Sequence, residues 1–245
     1  MDRLSPTHRP QGRAVQYQRW QTLLFLHWEI PLSMLRPLIP KSLEIDTFEG
    51  SAFVGLVPFT MRNVRPVWAP PVPGISNFHE TNVRTYVHCQ GRDPGVWFFS
   101  LDAASAVAVL IARTLWQLPY HLARMSLKRR NDQFIESTTR RLLPGPLPGE
   151  ASVRYRPVGA CAAAAPGSLA HFLAERYILY TENSAGELFS GRVYHTPYPL
   201  QTVELDEWEE TLLAAAGLQR PAHSPLAHFA SGVDVEVFPL RRYGL

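Results

Sequence analysis

The sequence predicts a mostly β fold of the α+β class, with a few short helices beside the strands. Many short stretches alternate apolar and polar residues or form compact apolar runs, and prolines and glycines separate them. The 245 residues are 46% hydrophobic, which is enough for a sizeable core. Because the sequence shows no internal repeat and no convincing domain boundary, we predict a flexible tail over residues 1–16 and a single domain over residues 17–245.

The first half of the chain predicts a helical turn, a longer helix and several strands. The prolines of residues 31–40 limit the turn, and those of residues 65–74 indicate a loop. The Ala-rich residues 103–117 favour a helix that Asp102 caps and that ends before Pro119. Apolar runs or alternation predict strands at residues 20–28, 43–46, 51–59, 80–89 and 96–101, the fourth of them half-buried.

The second half predicts further strands and two short helices. Residues 160–166 form an alanine-rich patch that we interpret as a linker before a helix at residues 168–175. Residues 206–216 have the pattern of an amphipathic helix that Asp206 caps and Gly217 ends. Strands are expected at residues 134–139, 151–156, 177–181, 188–195 and 233–239, of which the third and fourth form a hairpin.

The charge pattern does not indicate a nucleic-acid partner, although the net charge is +3. Lys41 and Lys128 are the only lysines, so nearly every cation is an arginine. The one basic cluster, residues 128–130, is short and precedes a predicted turn at Asn131 and Asp132. No DNA- or RNA-binding motif accompanies it. We expect no nucleic acid as a partner.

Cysteine use and hydropathy predict a cytoplasmic protein without a disulfide framework. Cys89 and Cys161 are isolated, and no apolar run approaches 18 residues. We therefore expect no membrane partner, and a homo-oligomer is left open. No cofactor and no metal are expected, because phosphate-binding glycine loops, nucleophile elbows and His-x-His or HExxH spacings are all missing. A metal held by the distant residues His27, Glu80 and His195 is the alternative left open.

A row of polar residues on one predicted strand is the first candidate for a site. Period two places Glu80, Asn82 and Arg84 on one face. Facing a cavity, Arg84 could hold a carboxylate and Glu80 could act as an acid or base. The alternative is a solvent face stabilised by cross-strand ion pairs.

A second group lies at the end of the Ala-rich helix. Arg113 is within the predicted helix, and Tyr120 and His121 come directly after Pro119, which ends it. A histidine side chain ordinarily titrates near neutrality, which suits catalysis, but a structural role is the favoured interpretation of His121 alone, and Tyr120 could equally be a core aromatic residue. Further candidates for substrate binding, with the same structural alternatives, are His27, Arg176 and His195.

Several stretches resemble the YqjF-like family of bacterial proteins, which has no assigned function and lies within the acetoacetate decarboxylase-like superfamily. The matching stretches lie between residues 20 and 200 and include PxxLEID at 40–46, FHETNVRTYV at 78–87, FFSLDA at 98–103, LPYHLARM at 118–125 and ERYILY at 175–180. The resemblance implies a cone-shaped β-barrel or double sheet around a small-molecule cavity.

The resemblance to the decarboxylase also implies site residues, with departures at the decisive positions. Glu80 matches an active-site glutamate, and Arg113 matches an arginine before the lysine pair. Tyr120 and His121 stand where the decarboxylase has its Schiff-base lysine and the next lysine, and Gly55 stands near its other acidic residue. Because neither tyrosine nor histidine forms an iminium, a Schiff-base decarboxylase is not expected.

Three hypotheses follow for function. In the first, the protein transforms a small oxo or carboxylate compound by acid/base chemistry, with Glu80, Tyr120 and His121 as catalytic residues. The substrate would be held by residues from the candidate set Asn82, Arg84, Arg113, His27, Arg176 and His195. In the second, the same pocket binds a small molecule without catalysis. In the third, the basic surface serves a structural or nucleic-acid partner.

Overall fold

The fold is a single hydrogen-bonded sheet with short helices beside it, in a computed structural model that describes residues 1–130 and 133–244. The prediction of a mostly β fold is confirmed. Within the described residues the strands are β1 Gln16–Ile30, β2 Glu44–Ile45, β3 Ala52–Pro66, β4 Phe78–Cys89, β5 Arg92–Ala103, β6 Tyr120–Arg129, β7 Ile135–Leu143, β8 Glu150–Ala162, β9 Ile178–Glu182, β10 Leu188–Tyr194, β11 Leu200–Glu210, β12 Leu226–Val237 and β13 Arg241–Arg242. The helices are α1 Leu32–Leu35, α2 Ala106–Leu115, α3 Leu169–Ala174 and α4 Leu212–Ala215, and short 3-10 turns cover Ser5–Thr7 and Arg36–Leu38.

The sheet closes on itself. Its hydrogen-bonded order runs β5-β6-β7-β8-β11-β12-β1-β3-β4, and β4 pairs again with β5. Strands β9 and β10 form a second connection between β5 and β12. Strand β9 pairs with β5, β10 pairs with β12, and β9 and β10 pair with each other. Closure leaves few unpaired strand edges and gives the sheet an inner face that can surround a cavity.

Two hydrophobic cores occupy the two faces of the long strands. In β1, Leu24 and Leu26 belong to one core, whereas Leu23 and Phe25 belong to the other. Successive side chains of a strand point to opposite faces, so a strand buried on both faces forms a continuous apolar run. This explains why β1 and β3 could be found from their apolar runs.

The prediction that β4 is half-buried is wrong, since nearly all of its residues are buried. Val83 and Val87 on one face pack in the first core. Glu80, Asn82 and Arg84 on the other face are also buried, at 1%, 5% and 8% exposure. The alternative of a solvent face with ion pairs is therefore excluded for this row.

Asp102 does not cap a helix as predicted. It lies in β5, where its two carboxylate oxygens accept hydrogen bonds of 2.7 Å from the guanidinium of Arg141, and both side chains are buried. Helix α2 begins at Ala106, and the Ser105 hydroxyl caps it by accepting from the N–H of Ala108. The β-strand before α2 continues further than its sequence indicated because Asp102 pairs with His121 of β6.

The predicted amphipathic helix at residues 206–216 is also wrong in most of its length. Strand β11 continues to Glu210 and pairs with β8, and Asp206 accepts a hydrogen bond of 2.6 Å from Arg154. Only α4 is helical, and Gly217 follows it with φ of +80°. Pairing with β8 overrides the local helical pattern, and β8 itself extends into the predicted linker, to Ala162.

The other helices and the hairpin agree with the prediction. Strands β9 and β10 pair antiparallel, and Ser168 caps α3. In the N-terminal segment Arg3 forms an ion pair with buried Asp46. The flexibility of residues 1–16 stays a prediction, and the predicted turn at residues 131–132 lies outside the described residues. None of the described helices is both long and apolar enough to cross a membrane.

Candidate functional site

A cavity of about 140 Å³ lies inside the closed sheet. Its walls are mainly aromatic and aliphatic, with contributions from Leu23, Phe25, Val57, Phe59, Phe98 and Leu101. Polar groups enter it chiefly from β4, from the start of β6 and from the segment before β9. A mostly apolar cavity with a few convergent polar groups is the usual form of a small-molecule site.

The polar row of β4 lies in this cavity. Glu80, Asn82 and Arg84 all line it, as the period of a strand predicts. The Cα atoms of Glu80 and Arg84 are about 13 Å apart at four residues of strand rise. An acid and a guanidinium therefore stand at two ends of one wall, with the Asn82 amide between them.

Glu80 and Tyr120 form a hydrogen-bonded pair in the cavity. The Tyr120 hydroxyl donates to Oε2 of Glu80 over 2.7 Å. Burial raises the pKa of Glu80 to about 8, although the hydrogen bond from Tyr120 lowers it, and the charge of Asp102 adds to the rise. Burial and the neighbouring glutamate raise the pKa of Tyr120 as well. At neutral pH both groups are therefore mainly protonated.

Arg84 is a buried guanidinium without a carboxylate partner among the described residues. One of its terminal nitrogens donates to the carbonyl of Leu173 over 3.1 Å, and its Nε has no hydrogen-bond partner. No ion pair joins it to an acidic residue in the described part of the chain. A buried charge is costly unless it is paired, so this arrangement favours an anionic ligand.

Arg176 also lines the cavity, but its charge is compensated. It donates to Asp46 over 2.7 Å and to the carbonyl of Phe172. Asp46 also accepts from Arg3, so this carboxylate lies between two guanidinium groups. Of the two interpretations that the sequence left open for Arg176, the structure supports a buried cation at the cavity wall.

His27 lies behind the wall next to Arg84. The Tyr86 hydroxyl donates to the carbonyl of Leu173, so Nε2 of His27 donates to Tyr86 over 2.6 Å. Burial and the charge of Arg84 lower the pKa of His27 well below its usual value. A Cβ at Gly55 would lie 3.0 Å from the His27 ring. Gly55, near which the sequence resemblance places the other acid of the decarboxylase, thus leaves room for a neutral imidazole.

His195 packs against two tyrosines of the cavity wall, with its ring stacked on that of Tyr177 and tilted relative to that of Tyr198. Its ring lies 4.4 Å from those of Tyr177 and Tyr198, and its Nδ1 is 2.8 Å from the carbonyl of Thr196. Burial lowers the pKa of His195 to about 4, and its Nε2 has no partner among the described residues. It is therefore a neutral group that supports the wall and does not line the cavity.

His121 and Arg113 lie outside the cavity. Because Tyr120 and His121 are adjacent in β6, they point to opposite faces of the sheet. His121 lines an open depression with Arg113, where its Nδ1 is 2.7 Å from the carbonyl of Pro144. Arg113 donates to the backbone carbonyl of Tyr120 over 2.7 Å. The structure does not bring either residue to Glu80.

Sequence reasoning missed Tyr177 and Tyr198, which line the cavity beside the predicted residues. Each lies one to three positions after a residue that the sequence did single out, Arg176 or His195. The two lysines are exposed and do not line the cavity. In the described part of the chain no three His, Cys, Asp or Glu side chains are grouped so that they could hold a metal ion.

Comparison with known proteins gives a family and a fold. The model of the DUF2071 family, described as an uncharacterized conserved protein, matches residues 17–234. The uncharacterized protein YqjF of Bacillus subtilis (strain 168) is 38% identical over 234 residues, which are 96% of this chain and 95% of that protein.

Solved structures with the same fold are much less similar in sequence. The enduracididine biosynthesis enzyme MppR complexed with pyruvate has a TM-score of 0.64 at 12% identity, covering 96% of this chain and 93% of its own. An acetoacetate decarboxylase-like enzyme from Sphingomonas wittichii RW1 also has 0.64 at 12%, over 94% and 93%. The acetoacetate decarboxylase of Legionella pneumophila has 0.58 at 15%, over 96% and 94%. The predicted acetoacetate decarboxylase-like fold is thereby confirmed.

Proposed function

This chain belongs to the DUF2071 family, and we propose that it binds the anion of a small oxo acid and transfers a proton beside the carbonyl group, without a Schiff base. Arg84 carries this proposal, because it is a buried cation that lines the cavity and has no carboxylate partner among the described residues. A carboxylate ligand would supply the missing charge through charge-assisted hydrogen bonds.

The Glu80–Tyr120 pair supplies the proton chemistry. A pKa near 8 lets Glu80 exist in both protonation states near neutral pH, which suits a general acid or base. As the base, Glu80 takes a proton from the carbon beside the carbonyl, and the C–H electron pair moves into the carbonyl to give an enolate. The Asn82 amide donates to the enolate oxygen, and proton return from Glu80 restores the C–H bond.

The Schiff-base route has no support in this cavity. That route needs a desolvated primary amine, whereas Lys41 and Lys128 are both exposed. By the sequence resemblance, Tyr120 stands in for the reactive lysine, and its hydroxyl donates a hydrogen bond to Glu80. Pyruvate is a suitable first probe because one structure of similar fold, MppR, is described as complexed with it.

Deuterium exchange at the methyl group of pyruvate in D₂O, followed by proton NMR at pH 6–9, tests the proposal. We expect exchange above the buffer rate and a loss of about 10²-fold or more in Glu80→Gln, the typical effect of a general base. Glu210→Gln is the matched control, because Glu210 is also buried with a raised pKa but accepts from the N–H of Leu213 at α4. Exchange at the buffer rate, or a product trapped on a lysine by borohydride, would contradict the catalytic part.

A binding protein without catalysis is the second candidate. It is favoured by the hydrogen bond from the Tyr120 hydroxyl to Oε2 of Glu80, which joins these two groups without a ligand. The unpaired Nε of Arg84 is a buried donor, and it favours an anionic ligand whether or not catalysis follows. Pyruvate binding that depends on Arg84 but gives no exchange would select this second candidate.

A further inference from the structure

An apolar groove of about 430 Å³ lies beside the cavity, between α2 and the proline-rich segment that follows β3. We refer to it as the groove, and its walls include Val64, Trp68, Val72, Ile75, Val107 and Ile111. Trp68 is 83% exposed, and the side chains of Val72, Val107 and Ile111 are exposed as well. Apolar side chains gathered at an open groove indicate a binding surface.

The groove and the cavity share part of their walls. Gln16, Gln18, Met61 and Tyr120 line both of them. Along one face of β4, Phe78 lines the groove, and the polar row of Glu80, Asn82 and Arg84 follows in the cavity. A single molecule could therefore extend from Arg84 past Glu80 into the groove.

The volumes indicate which part of a ligand each space would hold. A closed apolar cavity of about 150 Å³ accommodates benzene, so the 140 Å³ cavity has room for a head group of roughly six heavy atoms. Such a head group matches a carboxylate with an adjacent carbonyl. A larger body would have to leave the cavity, and the groove is the apolar space that meets the cavity at Tyr120.

We infer that the ligand of this site is an oxo acid with an apolar tail. This inference rests on the proposed function and narrows its substrate class. The carboxylate binds Arg84, the carbonyl lies near Asn82 and Glu80, and the alkyl or aryl tail lies in the groove against Met61 and Ile111. Polar extensions are disfavoured over most of the groove, because its wall is mainly apolar.

The test compares 2-oxo acids of increasing length, namely pyruvate, 2-oxohexanoate and 2-oxooctanoate, by titration calorimetry at pH 7. Each methylene that enters an apolar site strengthens binding about three- to fourfold. We expect 2-oxooctanoate to bind roughly tenfold more tightly than 2-oxohexanoate. Pyruvate should bind most weakly of the three.

Two variants of α2 distinguish binding in the groove from nonspecific binding to the exposed apolar surface. Ile111→Ser removes an apolar side chain of the groove, whereas Leu110→Ser is the matched control, since Leu110 is 64% exposed and does not line the groove. Ile111→Ser should weaken 2-oxooctanoate several-fold and leave pyruvate unchanged. Leu110→Ser should change neither affinity.

The outcomes distinguish this inference from the proposed function. Equal affinities for pyruvate and 2-oxooctanoate, both weakened by Arg84→Met, would overturn the inference of an apolar tail in the groove. The proposed function would remain supported. Tight binding of 2-oxooctanoate that Leu110→Ser weakens as much as Ile111→Ser would also overturn it. If none of the acids binds, or if Arg84→Met has no effect on any of them, both proposals fail.

Discussion

The Tyr120 hydroxyl donates a 2.7 Å hydrogen bond to Glu80 at the wall of the cavity. The sequence resemblance to acetoacetate decarboxylase implies that Tyr120 stands where that enzyme has its reactive lysine. The pair replaces an amine with a phenol. A phenol cannot form an iminium, but it can hold a carboxyl group and influence its pKa. The function that we propose for this cavity therefore depends on proton transfer and on the charge of Arg84.

The ionisation of Glu80 should make folding stability depend on pH. Burial raises the pKa of Glu80 from 4.5 to about 8, so between these values the folded state retains a proton that the unfolded chain releases. The contribution of Glu80 to the free energy of unfolding is fully present below pH 4.5. It declines as the pH rises to about 8, by up to about 1.4 kcal/mol per pH unit. Urea unfolding of the wild type and Glu80→Gln between pH 5 and 9 measures it. The free energy of unfolding of Glu80→Gln, relative to that of the wild type, should grow with pH. Equal pH dependence of the two free energies would refute the raised pKa of Glu80.

Removing the Tyr120 hydroxyl should raise the pKa of Glu80 further. That hydrogen bond lowers the pKa of the carboxyl group, so in Tyr120→Phe the carboxylate forms only at higher pH. In the pyruvate exchange assay, the midpoint of the pH profile should move upward. Tyr155→Phe is the control, because Tyr155 is buried in the core away from the cavity. An unchanged midpoint in Tyr120→Phe would show that Tyr120 does not influence Glu80.

Replacing Arg84 should affect binding much more than stability. Hydrogen bonds to charged groups contribute about 1.5–3 kcal/mol, so Arg84→Met should weaken pyruvate binding roughly 10- to 100-fold. Stability should stay equal or rise, because the variant removes a buried charge and Tyr86 still donates to the Leu173 carbonyl. Calorimetry and urea unfolding measure the two quantities, with the exposed Arg124→Met as the control. A large loss of stability without a loss of affinity would assign Arg84 a structural role.

The sequence predicted the polar row of β4 correctly, but it did not predict that Tyr120 and His121 lie on opposite faces of the sheet. The alternation in residues 80–84 was sufficient to place Glu80, Asn82 and Arg84 on one face, because a strand has a fixed period. Tyr120 and His121 were grouped together as residues released by a helix. In β6 the same alternation separates them, and only the pairing of β6 with β5 reveals this.

Other features depend on contacts between distant residues. Arg176 presents no free charge to the cavity, because Asp46, 130 positions away in the chain, neutralises it. The helical pattern of residues 206–216 gave no sign of β8, whose pairing makes that segment a strand. The cytoplasmic location and the lack of a nucleic-acid partner stay predictions.

The buried ion pair of Asp102 and Arg141 should contribute strongly to folding. Asp102→Ala leaves the Arg141 guanidinium buried and unpaired, so the free energy of unfolding should fall by about 3–5 kcal/mol. Asp234→Ala, which breaks an exposed pair with Arg19, should change it little. Urea unfolding at pH 7 measures both. A loss of only about 1 kcal/mol in Asp102→Ala would match a helix cap, the role that the sequence predicted.

The most direct test is a crystal structure of the protein with bound pyruvate. We expect the carboxylate within hydrogen-bonding distance of the Arg84 guanidinium, the carbonyl oxygen near Asn82, and no covalent bond to the chain. Pyruvate bound outside this cavity, or joined covalently to a lysine, would contradict the account.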